Sequence, residues 1–264
     1  MDSRLFKEVK APMFKGIILD LDGTVYLGGH EIEGAGDFVR GCHRHGIATL
    51  FVTNRSNRTP AVVAAQLQSY GIECGARDIW TSSQATAHYL EAGTAYTIGE
   101  PALDEALQDE GFTISDQAPD YVIVGFDRAF TYAKLKRACN LIHKGARFIA
   151  TNPDHGLPLH DSIAPGTGAI VAAVATGCQV PPLYIGKPES RIMTMGAERL
   201  GLAAADILAV GDNLTTDIPA GHAAGMTTAL ILTGYSTRAD LAAAPVQPDW
   251  VVESFAELKE IVGT

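Results

Sequence analysis

The sequence predicts an α/β protein built on parallel sheets, with a second, smaller α/β domain inserted into the first. Three observations carry that prediction. Short apolar runs alternate with longer, alanine-rich amphipathic segments, the pattern of parallel strands joined by helices. There are too many such runs for one sheet of ordinary size. At 264 residues, 47% of them hydrophobic, the chain suits one large domain or two smaller ones, each able to bury a core.

Along the chain, the first apolar run is Ile17 to Leu19, followed by Asp20-Leu21-Asp22-Gly23-Thr24. A helix is expected from Ala35 to Arg44, closed by Gly46. The second run, Ala48 to Val52, leads into Thr53-Asn54. Pro60 then opens a helix ending near Tyr70-Gly71, with proline in the first turn and glycine just past the end. Between Trp80 and Pro182 lies a second series of runs: Tyr96 to Ile98, Tyr121 to Val124 and Phe148 to Ala150. Helices are expected among them over Ala102 to Glu110 and Tyr132 to His143. The late runs are Leu183 to Ile185, Ile207 to Val210, Ala229 to Leu232 and Trp250 to Val252. The expected division is a discontinuous core of residues 13–79 and 183–264 and an inserted domain of residues 80–182.

Composition excludes several functions. The formal net charge is −10 and no lysine- or arginine-rich stripe is present, which argues against nucleic acid as a partner. No apolar stretch approaches 18 residues, so no membrane span is expected. Met1 to Lys15 lacks the apolar segment of a signal peptide. Cys42, Cys74, Cys139 and Cys178 are scattered, without CxxC or His–Cys clustering, and read as reduced thiols in a cytoplasmic protein. His43, His45 and His88 have no ligand spacing and read as surface or satisfied core residues.

Ligands of open parallel sheets sit beyond the carboxyl ends of the strands. Four runs deliver polar residues there: Asp20 and Asp22, Thr53 and Asn54, Lys187, and Asp212 with Asp217. Asp20 and Asp22 are two apart, so strand periodicity turns both the same way. One carboxylate can attack phosphorus, and its neighbour can protonate the leaving oxygen and then take a proton from water. Asp20, Asp212 and Asp217 together crowd negative charge that a hard cation would relieve. Asp20 and Asp212 are expected as direct ligands, with the Asp22 backbone carbonyl as a third and Asp217 acting through water. Asp217 also reads as the N-cap of a helix starting at Ile218-Pro219. Thr53 and Asn54, placed where a helix could begin, offer a hydroxyl and a backbone N–H to phosphate oxygens, and Lys187 supplies positive charge.

In this order the motifs Asp20-Leu-Asp22-Gly-Thr, Thr53-Asn54, Lys187 and Gly-Asp212 with Asp217 resemble the haloacid dehalogenase-like (HAD) phosphohydrolases. The insertion, with Tyr121-Val-Ile-Val-Gly125 and Phe148-Ile-Ala-Thr-Asn152-Pro-Asp154, resembles the cap of the NagD-like branch (subfamily IIA). The resemblance implies a Rossmann-like core, a C2-type cap that closes over substrate, Mg²⁺ and an aspartyl-phosphate on Asp20. It further implies a phosphatase acting on small phosphorylated metabolites, of the nucleotide, sugar phosphate or p-nitrophenyl phosphate type, and is compatible with a cap-mediated homodimer. A phosphomutase and a non-catalytic phospho-receiver are the alternatives; the acid/base Asp22 and the large insertion argue against the receiver. Asn152 and Asp154 are expected to face the substrate, as are His155 and the loop Pro165-Gly166-Thr167-Gly168. Arg55, where many relatives carry Asn, reads either as a surface or hinge residue or as a partner for a second anionic group on the substrate.

Overall fold

The computed structural model describes residues 14–159 and 162–264. Residue 13, where the expected core begins, and most of the segment read for a signal peptide lie outside the described residues. The chain opens with β1 (Gly16–Leu19), a small hairpin of β2 (Tyr26–Leu27) and β3 (His30–Glu31), α1 (Ala35–Arg44) and β4 (Ala48–Thr53). It continues through α2 (Pro60–Ser69), β5 (Ile79–Thr81) and α3 (Ser82–Tyr89). The second series follows: β6 (Thr94–Ile98), α4 (Pro101–Asp109), β7 (Thr113–Ile114), β8 (Tyr121–Val124), α5 (Tyr132–His143) and β9 (Arg147–Ala150). A hairpin of β10 (Gly156–Leu159) and β11 (Ser162–Pro165), then α6 (Thr167–Cys178) and β12 (Leu183–Tyr184), complete that series. The last stretch holds α7 (Ser190–Leu200), β13 (Ile207–Gly211), α8 (Asp217–Ala223), β14 (Thr227–Ile231), β15 (Trp250–Val252) and α9 (Phe255–Val262).

The larger sheet has the order β15-β14-β13-β1-β4-β5 and is parallel throughout. The smaller, β12-β9-β8-β6-β7, is also parallel. Residues of β1 alternate between two cores, because successive strand side chains point to opposite faces. Ile17 and Leu19 join Phe38, Phe51 and Phe255 on one face. There the Phe38 and Phe255 rings lie 5.4 Å apart, and each fully buried side chain of this kind contributes about 1.5–3 kcal/mol. Ile18, on the other face, joins Leu50 and Met193, in a cluster that extends to Leu103, Tyr121 and Ile149 of the smaller sheet and its helix. The two sheets therefore share one continuous apolar layer.

Helix limits follow local chemistry. The Thr59 hydroxyl accepts from the Val62 N–H and Pro60 occupies the first position of α2, so one orphan donor is capped and another never exists. Among the described residues no helix is long and apolar enough to cross a membrane. All four cysteines are free.

Two expectations about the insertion need correction. β5 hydrogen-bonds to β4 in the larger sheet, so the first division falls beyond residue 79. β12 pairs with β9 in the smaller sheet, so Leu183 to Ile185 is not a core strand. Both sheets are parallel and apolar, and a short run carries no mark of which one it will join.

Candidate active site

The register of the central strands fixes where the polar residues meet. Leu19 lies opposite Phe51 on one side and Val210 on the other, so β4, β1 and β13 end side by side. Asp20 follows β1 and is anchored by its N–H donating to the Val210 carbonyl at 2.9 Å. Lys187 arrives on the loop between β12 and α7, not from a core strand as expected. Its backbone N–H donates to Asn54 Oδ1 at 2.9 Å, which draws the loop back across the core. Its Nζ donates to Asp20 Oδ1 and to Asp217 Oδ1, each at 2.5 Å.

Carboxylate oxygens of Asp20, Asp212 and Asp217 lie within 4.8 Å of one another. The N-cap of α8 is Thr216 rather than Asp217, which is the first residue of the helix. The Asp217 side chain turns back into the site instead, where Lys187 takes Oδ1 and the Asn213 N–H donates to Oδ2 at 3.1 Å. Asp212 accepts from Thr24 Oγ1 at 3.3 Å and from the Tyr235 N–H at 2.5 Å. Backbone closes tightly on Asp212: a Cβ on Gly23 would stand 2.2 Å from its Oδ2, and one on Gly234 2.1 Å. Thr24 and the 234–236 turn escaped sequence reasoning. Thr24 was legible as the residue closing the first motif, whereas Gly234 and Tyr235 carry no local signal.

Electrostatically the site is short of positive charge, with three carboxylates around one ammonium. Burial, above all, pushes the Asp20 carboxyl well above the usual range; Lys187 opposes this while Asp217 and Asp212 add to it. Asp212 is pushed up to about 7 by burial and then by Asp217, against the hydrogen bond from Tyr235. Burial works against the Lys187 charge, but Asp20 and Asp217 outweigh it and hold the ammonium well above its ordinary range.

The remaining expected residues divide. The Thr53 hydroxyl is buried at the end of β4 and accepts the Arg55 N–H at 3.1 Å, keeping its own proton to donate. No helix starts there; the chain runs as a loop to Pro60. The Asn54 amide is a clasp: it donates to Asp154 Oδ1 at 3.0 Å and to the Lys187 carbonyl at 2.9 Å. Asn152 donates to the Asn54 carbonyl at 2.7 Å, so Asn152 and Asp154 both stand against the second motif. Thr167 and Gly168 open α6 rather than forming a loop. A Cβ on Gly168 would fall 2.2 Å from the Pro153 carbonyl oxygen, so glycine there permits close packing on the 152–154 segment. The Arg55 guanidinium is partly buried and grips Asp22, with Nε donating to Oδ2 at 2.8 Å and a terminal nitrogen to Oδ1 at 2.7 Å.

Comparison with known proteins decides the family. A family model described as haloacid dehalogenase-like hydrolase matches residues 17–113, and a second, HAD-hydrolase-like, matches residues 184–258. The chain is 40% identical over 248 residues to 5'-nucleotidase YutF of Bacillus subtilis (strain 168), covering 92% of this chain and 97% of that one. The chain belongs to the HAD hydrolases, in the NagD-like branch. The acid sugar phosphatase of Staphylococcus haemolyticus (strain JCSC1435) is 39% identical over 250 residues, with 93% of this chain and 94% of the relative covered. NagD from E. coli K-12 superposes with a TM-score of 0.88 at 34% identity, over 93% of this chain and 98% of that one. The HAD chain is accordingly a phosphatase, with a core and a cap, and its substrates are phosphorylated compounds.

Phosphatases of the HAD family generally use Mg²⁺, and the residues here fit such an ion. The donor set is all oxygen, with Asp212 and Asp217 buried and Asp20 partly so, and has more negative charge than Lys187 neutralises. The charge imbalance gives a prediction for the metal-free enzyme. Asp212 keeps its proton in the folded state up to about pH 7, while the unfolded chain loses it near 3.8. Stability from that group is thus complete at low pH and fades as pH rises through 7. In EDTA, the melting temperature is expected to fall between pH 5.5 and pH 8, less steeply in Asp212→Asn. Equal slopes for the two proteins would refute this account of the site.

Proposed function

We propose that this HAD enzyme is a Mg²⁺-dependent phosphatase of small phosphorylated metabolites that works through an aspartyl-phosphate on Asp20. The observation that carries the reading is the double grip of Lys187 on Asp20 and Asp217, 2.5 Å each, inside a cluster of three carboxylates. That arrangement fixes one oxygen of Asp20 and leaves the other as the attacking atom. When bound, Mg²⁺ would be held by Asp20, Asp212 and the Asp22 carbonyl, with Asp217 acting through water, and would supply charge neutralisation and phosphate alignment.

In the first step Asp20 attacks phosphorus and the ester bond to the leaving oxygen breaks. The Asp22 carboxyl gives its proton to that oxygen. The Thr53 hydroxyl and the Asn54 N–H hold equatorial phosphate oxygens, and Lys187 stabilises the charge that builds between Asp20 and the phosphoryl group. In the second step Asp22 takes a proton from water, the water oxygen attacks phosphorus, and the acyl phosphate bond breaks to release phosphate and restore Asp20. The insertion, through Asn152 and Asp154, covers this chemistry and contacts the leaving group. The names of the relatives favour nucleoside monophosphates and sugar phosphates as the first substrates to try.

The test is phosphate release from p-nitrophenyl phosphate and from a panel of nucleotides and sugar phosphates, with Mg²⁺ and with EDTA. Release that EDTA abolishes and Mg²⁺ restores is the expected result. Isomerisation of a sugar phosphate without free phosphate would replace the reading with a mutase.

A further inference from the structure

The Arg55–Asp22 pair is out of keeping with the work assigned to Asp22. A proton donor to the leaving group needs an oxygen open to it, yet both Asp22 oxygens accept hydrogen bonds from one planar guanidinium. The pair is built rather than incidental. The Arg55 N–H donates to Thr53 Oγ1, tying its backbone to the phosphate end of the site. Its guanidinium carbon lies 5.8 Å from the centroid of the Tyr26 ring, which in turn meets Tyr70 at 5.5 Å. The arginine side chain is 30% exposed and the aspartate side chain 49%, so the pair sits at the mouth, where an incoming molecule can reach it.

A guanidinium fork on an aromatic ring matches a carboxylate in two parallel hydrogen bonds. Asp22 occupies that position here. If a substrate brings its own carboxylate to the fork, the number of charge-assisted hydrogen bonds on Arg55 is conserved and an Asp22 oxygen is released toward the ester oxygen. A substrate with a neutral alcohol in the same place must pull Asp22 away without replacing its partner.

We propose that Arg55 is a specificity-determining residue that selects phosphomonoesters bearing a carboxylate near the ester oxygen, through exchange of that carboxylate for Asp22 in its guanidinium fork. The proposal rests on the phosphatase reading, with Asp22 as acid and base. It differs from a merely structural role for Arg55, which would affect all substrates alike.

The test compares 3-phosphoglycerate with glycerol 3-phosphate, which share a skeleton and differ by a carboxylate in place of a hydroxymethyl group. For the wild-type enzyme with Mg²⁺, kcat/KM is expected to favour 3-phosphoglycerate by ~10-fold or more, the scale of one charge-assisted hydrogen bond. In Arg55→Gln that ratio should fall to about 1 or below, and Arg55→Lys, which keeps charge but not the fork, should lie between. A wild-type preference for glycerol 3-phosphate overturns the proposal without any variant. The same ratio in wild type and Arg55→Lys also overturns it, even if Arg55→Gln does not fold. Should the wild type fail to release phosphate even from p-nitrophenyl phosphate, the phosphatase reading falls and the proposal with it; release from that ester with an unaltered ratio sinks the Arg55 proposal alone.

Discussion

Asp20→Asn is expected to lower kcat by about 10⁴-fold or more, the scale seen when a nucleophile is removed, and at the same time to make the metal-free protein more stable. The amide oxygen of asparagine can still accept from Lys187, so the geometry survives. It cannot form an acyl phosphate, so turnover does not. Stability moves the other way because Asp20 is one of three carboxylates sharing one ammonium, and its burial already opposes its charge. Removing that charge relieves repulsion with Asp212 and Asp217. A gain of ~1 kcal/mol would raise the melting temperature by roughly 2–4 °C in a protein of this size. Phosphate release and thermal melting in EDTA check the two halves separately. Activity within tenfold of wild type would remove Asp20 from the nucleophile's role, and a lower melting temperature would show that the Lys187 pair outweighs the repulsion.

Lys187→Met should be damaging on both counts. Lys187 is only 3% exposed, and its loss leaves Asp20 and Asp217 buried without their shared counter-charge. Breaking a buried pair in this way costs about 3–5 kcal/mol, and kcat should fall by about 10²–10³-fold through lost transition-state stabilisation. The double variant Lys187→Met/Asp217→Asn separates the two effects, because contacting residues are not additive. It should recover part of the melting temperature and none of the activity. Thermal melting and kcat of four proteins, the wild type, Lys187→Met, Asp217→Asn and the double variant, decide the matter. No coupling between the substitutions would mean that the Lys187–Asp217 contact carries little energy.

Which polar residues would gather beyond the strand ends was more legible in the sequence than which sheet each strand would join. α1 was legible from its amphipathic face and from Gly46, and α2 from Pro60 at its start. α3 and α6 were not read as helices: one is short and nearly uncharged, the other mixes threonine, valine and glycine, residues that do not favour helix. Polar residues that meet at strand ends were readable because the strand-end position is itself a local signal. Asp217 shows the limit of such signals, since an aspartate before Ile-Pro looks the same whether it caps a helix or reaches Lys187. The Arg55–Asp22 pair joins residues 33 positions apart, and nothing in either neighbourhood announces it.

The Asn54 clasp bears on how such proteins can be recombined. One side chain ties the end of β4, the Lys187 loop and Asp154 of the insertion together, and Asn152 closes the same knot from the other side. The insertion is therefore not a module to be cut at its ends and exchanged freely. A chimera carrying a foreign insertion would need the 152–154 segment to be transplanted as part of the core. It would also need the small residues at 166 and 168, where a Cβ would strike the backbone of that segment. The seam that evolution or an engineer must respect runs through the middle of the insertion and not along its borders.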